Sequence, residues 1–199
     1  MKINICIVCS FILVSCSTSK IENQVVHDFI KEQLLIRPNC RYVEKQPVKR
    51  LLPLEFYEKA FEDRNIRLGD MARVIPNSYP PFKWPVDSIE IQKLKEKYEK
   101  ENTKQLWKKE DFHGLNLKLV NSKKIEKSGN PISDKLYGSE TLAVSKPIIT
   151  TDKKYAFLFF RIFNFGISFG HTTDKPILMK NLNGKWKTIE TYYDPNIIN

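Results

Sequence analysis

Apolar and polar positions alternate most clearly in the last third of the chain. Residues 155–165 hold five phenylalanines and one tyrosine. Alternation puts Tyr155, Phe157, Phe159, Phe163 and Phe165 on one face, with Arg161 among them, and Ala156, Leu158, Phe160 and Ile162 on the other. Both faces are apolar, which predicts a central strand covered on both sides. Asn183-Gly184 between two β-rich runs predicts a two-residue type I′ hairpin. In that register Leu182 opposes Lys185 and Met179 opposes Thr188, so Ile177, Met179, Trp186 and Thr188 share a face. A three-residue loop with a bulge would shift the register. Asp152-Lys153-Lys154 reads as a polar turn that joins a strand at 145–150 to the central one.

Upstream, the apolar spacing changes to that of helices. Ile21, Val25, Val26, Phe29, Ile30 and Leu34 predict a helix over 20–35, with Ser19 and Glu22 as a capping box and Arg37-Pro38 ending it. Pro53 opens a second helix over 53–61. Asp87 and Glu90 form another capping box before a charged helix over 88–101 whose narrow stripe is Ile91, Leu94 and Tyr98. Residues 115–120 alternate as a strand. The expected class is α+β, with N-terminal helices packed on a C-terminal antiparallel meander of about four or more strands. Between them, about 64–86, lie Pro76, Pro80, Pro81 and Pro85 with Tyr79, Phe82 and Trp84 interleaved. That much proline excludes helix and central strand. It leaves a loop packed by its aromatics or an extended recognition segment.

The first twenty residues change the picture. Lys2 is followed by an apolar run over 3–14, too short to span a bilayer and laid out as a secretory signal peptide. It ends in Leu13-Val14-Ser15-Cys16. These four residues resemble the lipobox of bacterial lipoproteins. The resemblance implies removal of 1–15, lipidation of the Cys16 sulfur, and acylation, typically with palmitate, of the new amino group. A cysteine suits that chemistry because its thiolate is a good nucleophile near neutral pH. One chain binds a membrane marginally and several hold it firmly. Ser17, rather than an acid, resembles the pattern for outer-membrane sorting. Residues 16–199 then form one domain, of which Cys40 is the sole remaining thiol, so no internal disulfide is possible.

The formal net charge is +10, and the basic residues are spread along the chain. Either a solvated lysine-rich surface or attraction to anionic polymers or a membrane surface fits this. Arginine-rich runs and base-stacking motifs are absent, which argues against nucleic acid.

Candidate chemistry is sparse. There are three histidines, no paired cysteines and no acidic cluster, so neither a metal nor another cofactor is expected. The best reactive stretch is the loop 166–174, with Gly166, Ser168, Gly170, His171 and Asp174. His171 and Asp174 could orient an imidazole toward Ser168 or Cys40; the alternative is a hairpin loop with a solvated histidine. Arg161 must either pair with an acid or await an anionic ligand. Pairing within the fold is the expectation, and Cys40 is expected to be a small buried apolar residue. Tyr79, Phe82, Trp84 and Arg161 are the candidate ligand contacts.

The run from Ser145 through Asp152-Lys153-Lys154 and residues 155–160, two spaced glycines, and then Leu182-Asn183-Gly184-Lys185-Trp186-Lys187 is similar to a domain that recurs in uncharacterised bacterial envelope lipoproteins. The motifs are structural, so the resemblance implies an α+β fold and carries over no catalytic residue. The expectation is a membrane-tethered protein with a non-enzymatic binding or assembly role in the envelope and an envelope protein as partner. A hydrolase using the 166–174 loop and a binder of an anionic polymer are the alternatives.

Overall fold

A computed structural model of the chain describes residues 4–62, 85–100, 105–128, 136–165 and 173–191. The fold is α+β; the described residues hold four helices mainly toward the N-terminus and a mostly antiparallel seven-stranded sheet mainly toward the C-terminus. The helices are α1 (Asn4–Ile36), α2 (Leu52–Glu62), α3 (Ser88–Glu99) and α4 (Ser122–Ser128). The strands are β1 (Tyr42–Glu44), β2 (Lys118–Val120), β3 (Glu140–Val144), β4 (Ile148–Ile149), β5 (Tyr155–Asn164), β6 (Thr173–Leu182) and β7 (Lys185–Thr191). Their order is β2-β1-β3-β5-β6-β7, with β4 also paired to β5.

β5 is the central strand that its aromatics predict, and its two faces meet different helices. Ala156, Leu158, Phe160 and Ile162 pack with Val25, Val26, Phe29 and Ile30 of α1, together with Ile177, Met179 and Trp186. Phe157 packs on the opposite face with Leu54 and Tyr57 of α2 and with Ile91, Leu94 and Tyr98 of α3. Each fully buried side chain of this size contributes about 1.5–3 kcal/mol. The sheet is therefore held by helices on both sides, α1 on one and the α2–α3 pair on the other.

The Asn183-Gly184 hairpin forms in the two-residue register. Leu182 opposes Lys185 and Met179 opposes Thr188, and both turn residues have positive φ, 54° and 86°. Asp87 caps α3 by accepting the Glu90 N–H at 2.8 Å. The Glu90 carboxylate does not close the box. It accepts the Thr151 N–H at 2.6 Å instead, tying α3 to the turn before β5.

Two local expectations are corrected. The first helix does not begin after Ser19 but runs unbroken from Asn4, because residues 4–19 contain neither glycine nor proline to interrupt it. The strand expected at 145–150 is instead β3 and β4, separated by a bulge. Val144 pairs with Phe160 and Ile148 with Phe157, so four steps along one strand oppose three along the other. Pro147 cannot donate to the ladder there, while Ser145 holds it by accepting the Phe159 N–H at 2.9 Å. The segment after Cys40 contains β1, which pairs in parallel with both β2 and β3.

β7 is a sheet edge, and α1 covers it chemically. Asp28 accepts the Trp186 N–H at 2.9 Å, and Glu32 accepts the Thr188 N–H at 3.3 Å. Four helical residues advance about 6 Å and two strand residues about 6.6 Å, so successive turns of α1 meet alternate N–H groups of β7. Bare edge N–H groups template pairing with another chain. The double variant Asp28→Ala/Glu32→Ala is expected to lose about 3–6 kcal/mol in urea unfolding, since hydrogen bonds to charged groups contribute about 1.5–3 kcal/mol each. It should also self-associate in sedimentation. An unchanged midpoint with a monomeric profile would contradict this role.

Candidate functional site

α2 and α3 cover only part of their face of β5. Phe56 of α2 reaches Phe159, ring centroids 5.7 Å apart, and beyond it the strand continues to Arg161 and Phe163 with no helix above it among the described residues. An open groove of about 910 Å³ lies there, lined by residues 44, 46–49 and 121–124 with Ala143, Arg161 and Phe163. Pro47, Val48, Ala143 and Phe163 supply its apolar surface, and Lys49, Lys123, Lys124 and Arg161 supply its charge.

Two of its charged groups, buried Glu44 and exposed Arg161, have definite partners. Glu44, at the end of β1, is buried. Its carboxylate accepts the Ser122 N–H at 3.2 Å and a short hydrogen bond from the Ser122 hydroxyl, which fixes the start of α4 against the sheet. Arg161 opposes Asp174 in the β5–β6 register. Its Nε donates to Asp174 Oδ1 at 2.7 Å and its Nη2 to Oδ2 at 2.5 Å. This fork holds the guanidinium pKa above its ordinary value, chiefly through the hydrogen bonds it donates to Asp174. Lys49 reaches Glu55 at 2.5 Å. Lys123 and Lys124 are exposed, with no carboxylate within ion-pair distance among the described residues.

The expected pairing of Arg161 is thus met, with each Asp174 oxygen accepting one guanidinium hydrogen bond. His171 and Ser168 lie outside the described residues, as do Tyr79, Phe82 and Trp84. Cys16 lies within the helical backbone of α1. Cys40 is 3 % exposed, as expected for a small buried apolar residue. Its S–H points to the carbonyls of Tyr42 and Glu140, each 3.8 Å away. Burial pushes its thiol pKa up, so the nucleophilic thiolate is suppressed. Maleimide labelling of the Cys40 thiol is expected to be negligible in the native protein and to proceed at an ordinary thiol rate in denaturant. Rapid native labelling would contradict the burial.

The groove draws on four separated segments, and sequence reasoning found only Arg161 of it. The missed signal is the pair Lys123-Lys124 directly after β2, exposed cations beside a strand end. Among the described residues no histidine or cysteine lines the groove, and Ser122, which does, is bound to Glu44. Among the described residues no group of three or more His, Cys, Asp or Glu side chains could hold a metal ion. What this arrangement can do is receive a ligand with apolar and anionic parts: the floor removes apolar surface from water and the lysines meet the charge. No helix of the described residues is long and apolar enough to cross a membrane. Comparison with protein-family models, with curated proteins and with solved structures found no match for the chain.

Proposed function

We propose that this protein is a bacterial lipoprotein of the cell envelope, anchored through Cys16, whose folded body binds a partner without catalysing a reaction. The observation that carries the binding role is the open groove at Arg161 and Phe163: apolar floor, lysine rim, and neither an imidazole nor a free nucleophile among its lining residues. Its dimensions and charge suit an acidic segment of an envelope protein with one or two apolar side chains. The anchor rests on Leu13-Val14-Ser15-Cys16 at the end of a short apolar run with a basic start. Ser17 supports an outer-membrane destination. Removal of residues 1–15 would leave α1 beginning at the lipidated residue, with Ser19 in its first turn.

In bacterial cells, Cys16→Ser is expected to abolish incorporation of labelled palmitate and to leave the chain with residues 1–15 uncleaved. A variant that still incorporates label and is still cut before residue 16 would overturn the anchor. A photo-crosslinking residue in place of Phe163 tests the groove separately. It should capture an envelope protein, and the yield should fall several-fold with Lys123→Glu/Lys124→Glu. Capture that ignores both charge reversals would overturn the binding site.

A further inference from the structure

We infer that the end of the sheet from which α1 emerges is a second membrane contact, which rests on the headgroups of anionic phospholipids. This inference depends on the anchor at Cys16 for its orientation. The direction of α1 fixes which end that is. Gln24 donates to the Gly184 carbonyl at the β6–β7 turn, Asp28 meets Trp186, and Glu32 meets Thr188. Farther along, Arg37 reaches Glu140 at 2.9 Å, beside Asn164 at the far end of β5. The helix therefore runs from the hairpin turn toward the groove end, and its N-terminal part leaves the body at the turn. Cys16 precedes Gln24 by eight residues, about 12 Å of helix. An acylated Cys16 would hold this end within reach of a membrane surface.

The side chains at this end suit an anionic bilayer. The β6–β7 turn presents Leu182, 47 % exposed, and the exposed Lys185. The turn before β5 presents Lys153 and Lys154, and it is joined to the hairpin by the Asn181 N–H donating to the Lys154 carbonyl at 2.8 Å. Lys20 is exposed on α1, one turn before Gln24. Among the described residues Lys20, Lys153 and Lys185 have no carboxylate within ion-pair distance. The nearby acids are engaged. Asp152 accepts from Thr150 at 2.7 Å and pairs with Lys154 at 3.4 Å. Glu90 accepts the Thr151 N–H, Asp87 caps α3, and Glu22 pairs with Arg50. A tip leucine framed by free lysines matches an interface whose surface is anionic and whose next layer is apolar. The groove lies at the opposite end. Phe163 is eight residues along β5 from Tyr155, about 26 Å, so seating this end on lipid leaves the groove facing outward.

The test uses the proposed mature chain, residues 16–199 carrying Cys16→Ser, so that neither an acyl chain nor the apolar run over 3–14 contributes, with vesicles containing phosphatidylglycerol and vesicles of phosphatidylcholine alone. Stronger partitioning onto the anionic vesicles is expected, and raised salt should weaken it. Lys153→Glu/Lys154→Glu/Lys185→Glu should reduce that partitioning at least about a hundredfold, since each lysine near such a surface contributes about fivefold. Lys123→Glu/Lys124→Glu, at the groove end, should change it much less. Thermal melting of each variant checks that the body stays folded. Equal partitioning onto both vesicle types, or an equal loss from the two charge reversals, would overturn the inference. The anchor fails separately, through unaltered palmitate labelling of the Cys16→Ser chain in cells.

Discussion

Replacing Arg50 with methionine is expected to lower the unfolding free energy by about 3–5 kcal/mol, the cost of breaking a buried charge pair from one side. Arg50 is 8 % exposed and joins four parts of the fold. Its Nη2 donates to Glu22 of α1 at 2.6 Å. Nη2 and Nε also donate to the Pro147 carbonyl beside β4, at 2.6 Å and 3.2 Å. Its guanidinium carbon lies 4.1 Å from the centre of the Tyr98 ring of α3. The methionine fills the space but leaves the Glu22 carboxylate and the Pro147 carbonyl short of donors. The loss should appear as a lower urea midpoint at unchanged slope. Adding Glu22→Met to the same chain should recover much of it, because the orphaned carboxylate is then gone. A loss below about 1 kcal/mol in the single variant would mean that the cluster is decoration.

Phe157→Ala should cost about as much, roughly 3–5 kcal/mol, from lost transfer energy and the cavity left behind. Phe157 is fully buried between β5 and the α2–α3 pair, with the Tyr57 ring edge-on at 5.0 Å. Tyr57 cannot move in to fill the space. Its hydroxyl donates to the Val86 carbonyl at 3.0 Å and accepts the Val86 N–H at 3.1 Å, which fixes α2 to the start of α3. For a domain of this length the loss corresponds to a fall in Tm of about 10 °C. Phe163, six residues along the same face, is the control. It is half-buried at the groove, and Phe163→Ala should cost about 1 kcal/mol or less. Equal losses at the two positions would contradict a helical layer that covers one end of this face and stops before the other.

The contrast between these positions shows what could be read from sequence. Asn183-Gly184 carries its own turn geometry, so the β6–β7 register follows from two residues. The stripe Ile91, Leu94, Tyr98 and the double-faced aromatics of β5 are periodic, and periodicity reports burial directly. Arg50 has no such local signature. Its partners are 28 and 97 residues away along the chain, and only the folded sheet brings them together. The same holds for the groove, where residues 44–49, 121–124, 143 and 161–163 meet across β1, β3 and β5. β1 itself, at three residues, is too short to show a period. Arg161 could be recognised as needing an acid. That the acid is Asp174 depends on the β5–β6 register, which the intervening loop does not encode as a recognisable turn.

The edge contact between α1 and β7 would link the proposed anchor to the fold. The helix that would begin at the lipid also supplies one wall of the core and closes the open strand, so the body would be held close to the bilayer, with little linker between them. The direct measurement is the intact mass of the protein extracted by detergent from bacterial envelopes. The account predicts a chain that starts at residue 16 and carries the mass of a thioether-linked diacylglycerol and an amide-linked acyl group. A chain that retains residues 1–15, or one cut elsewhere with an unmodified Cys16, would contradict it.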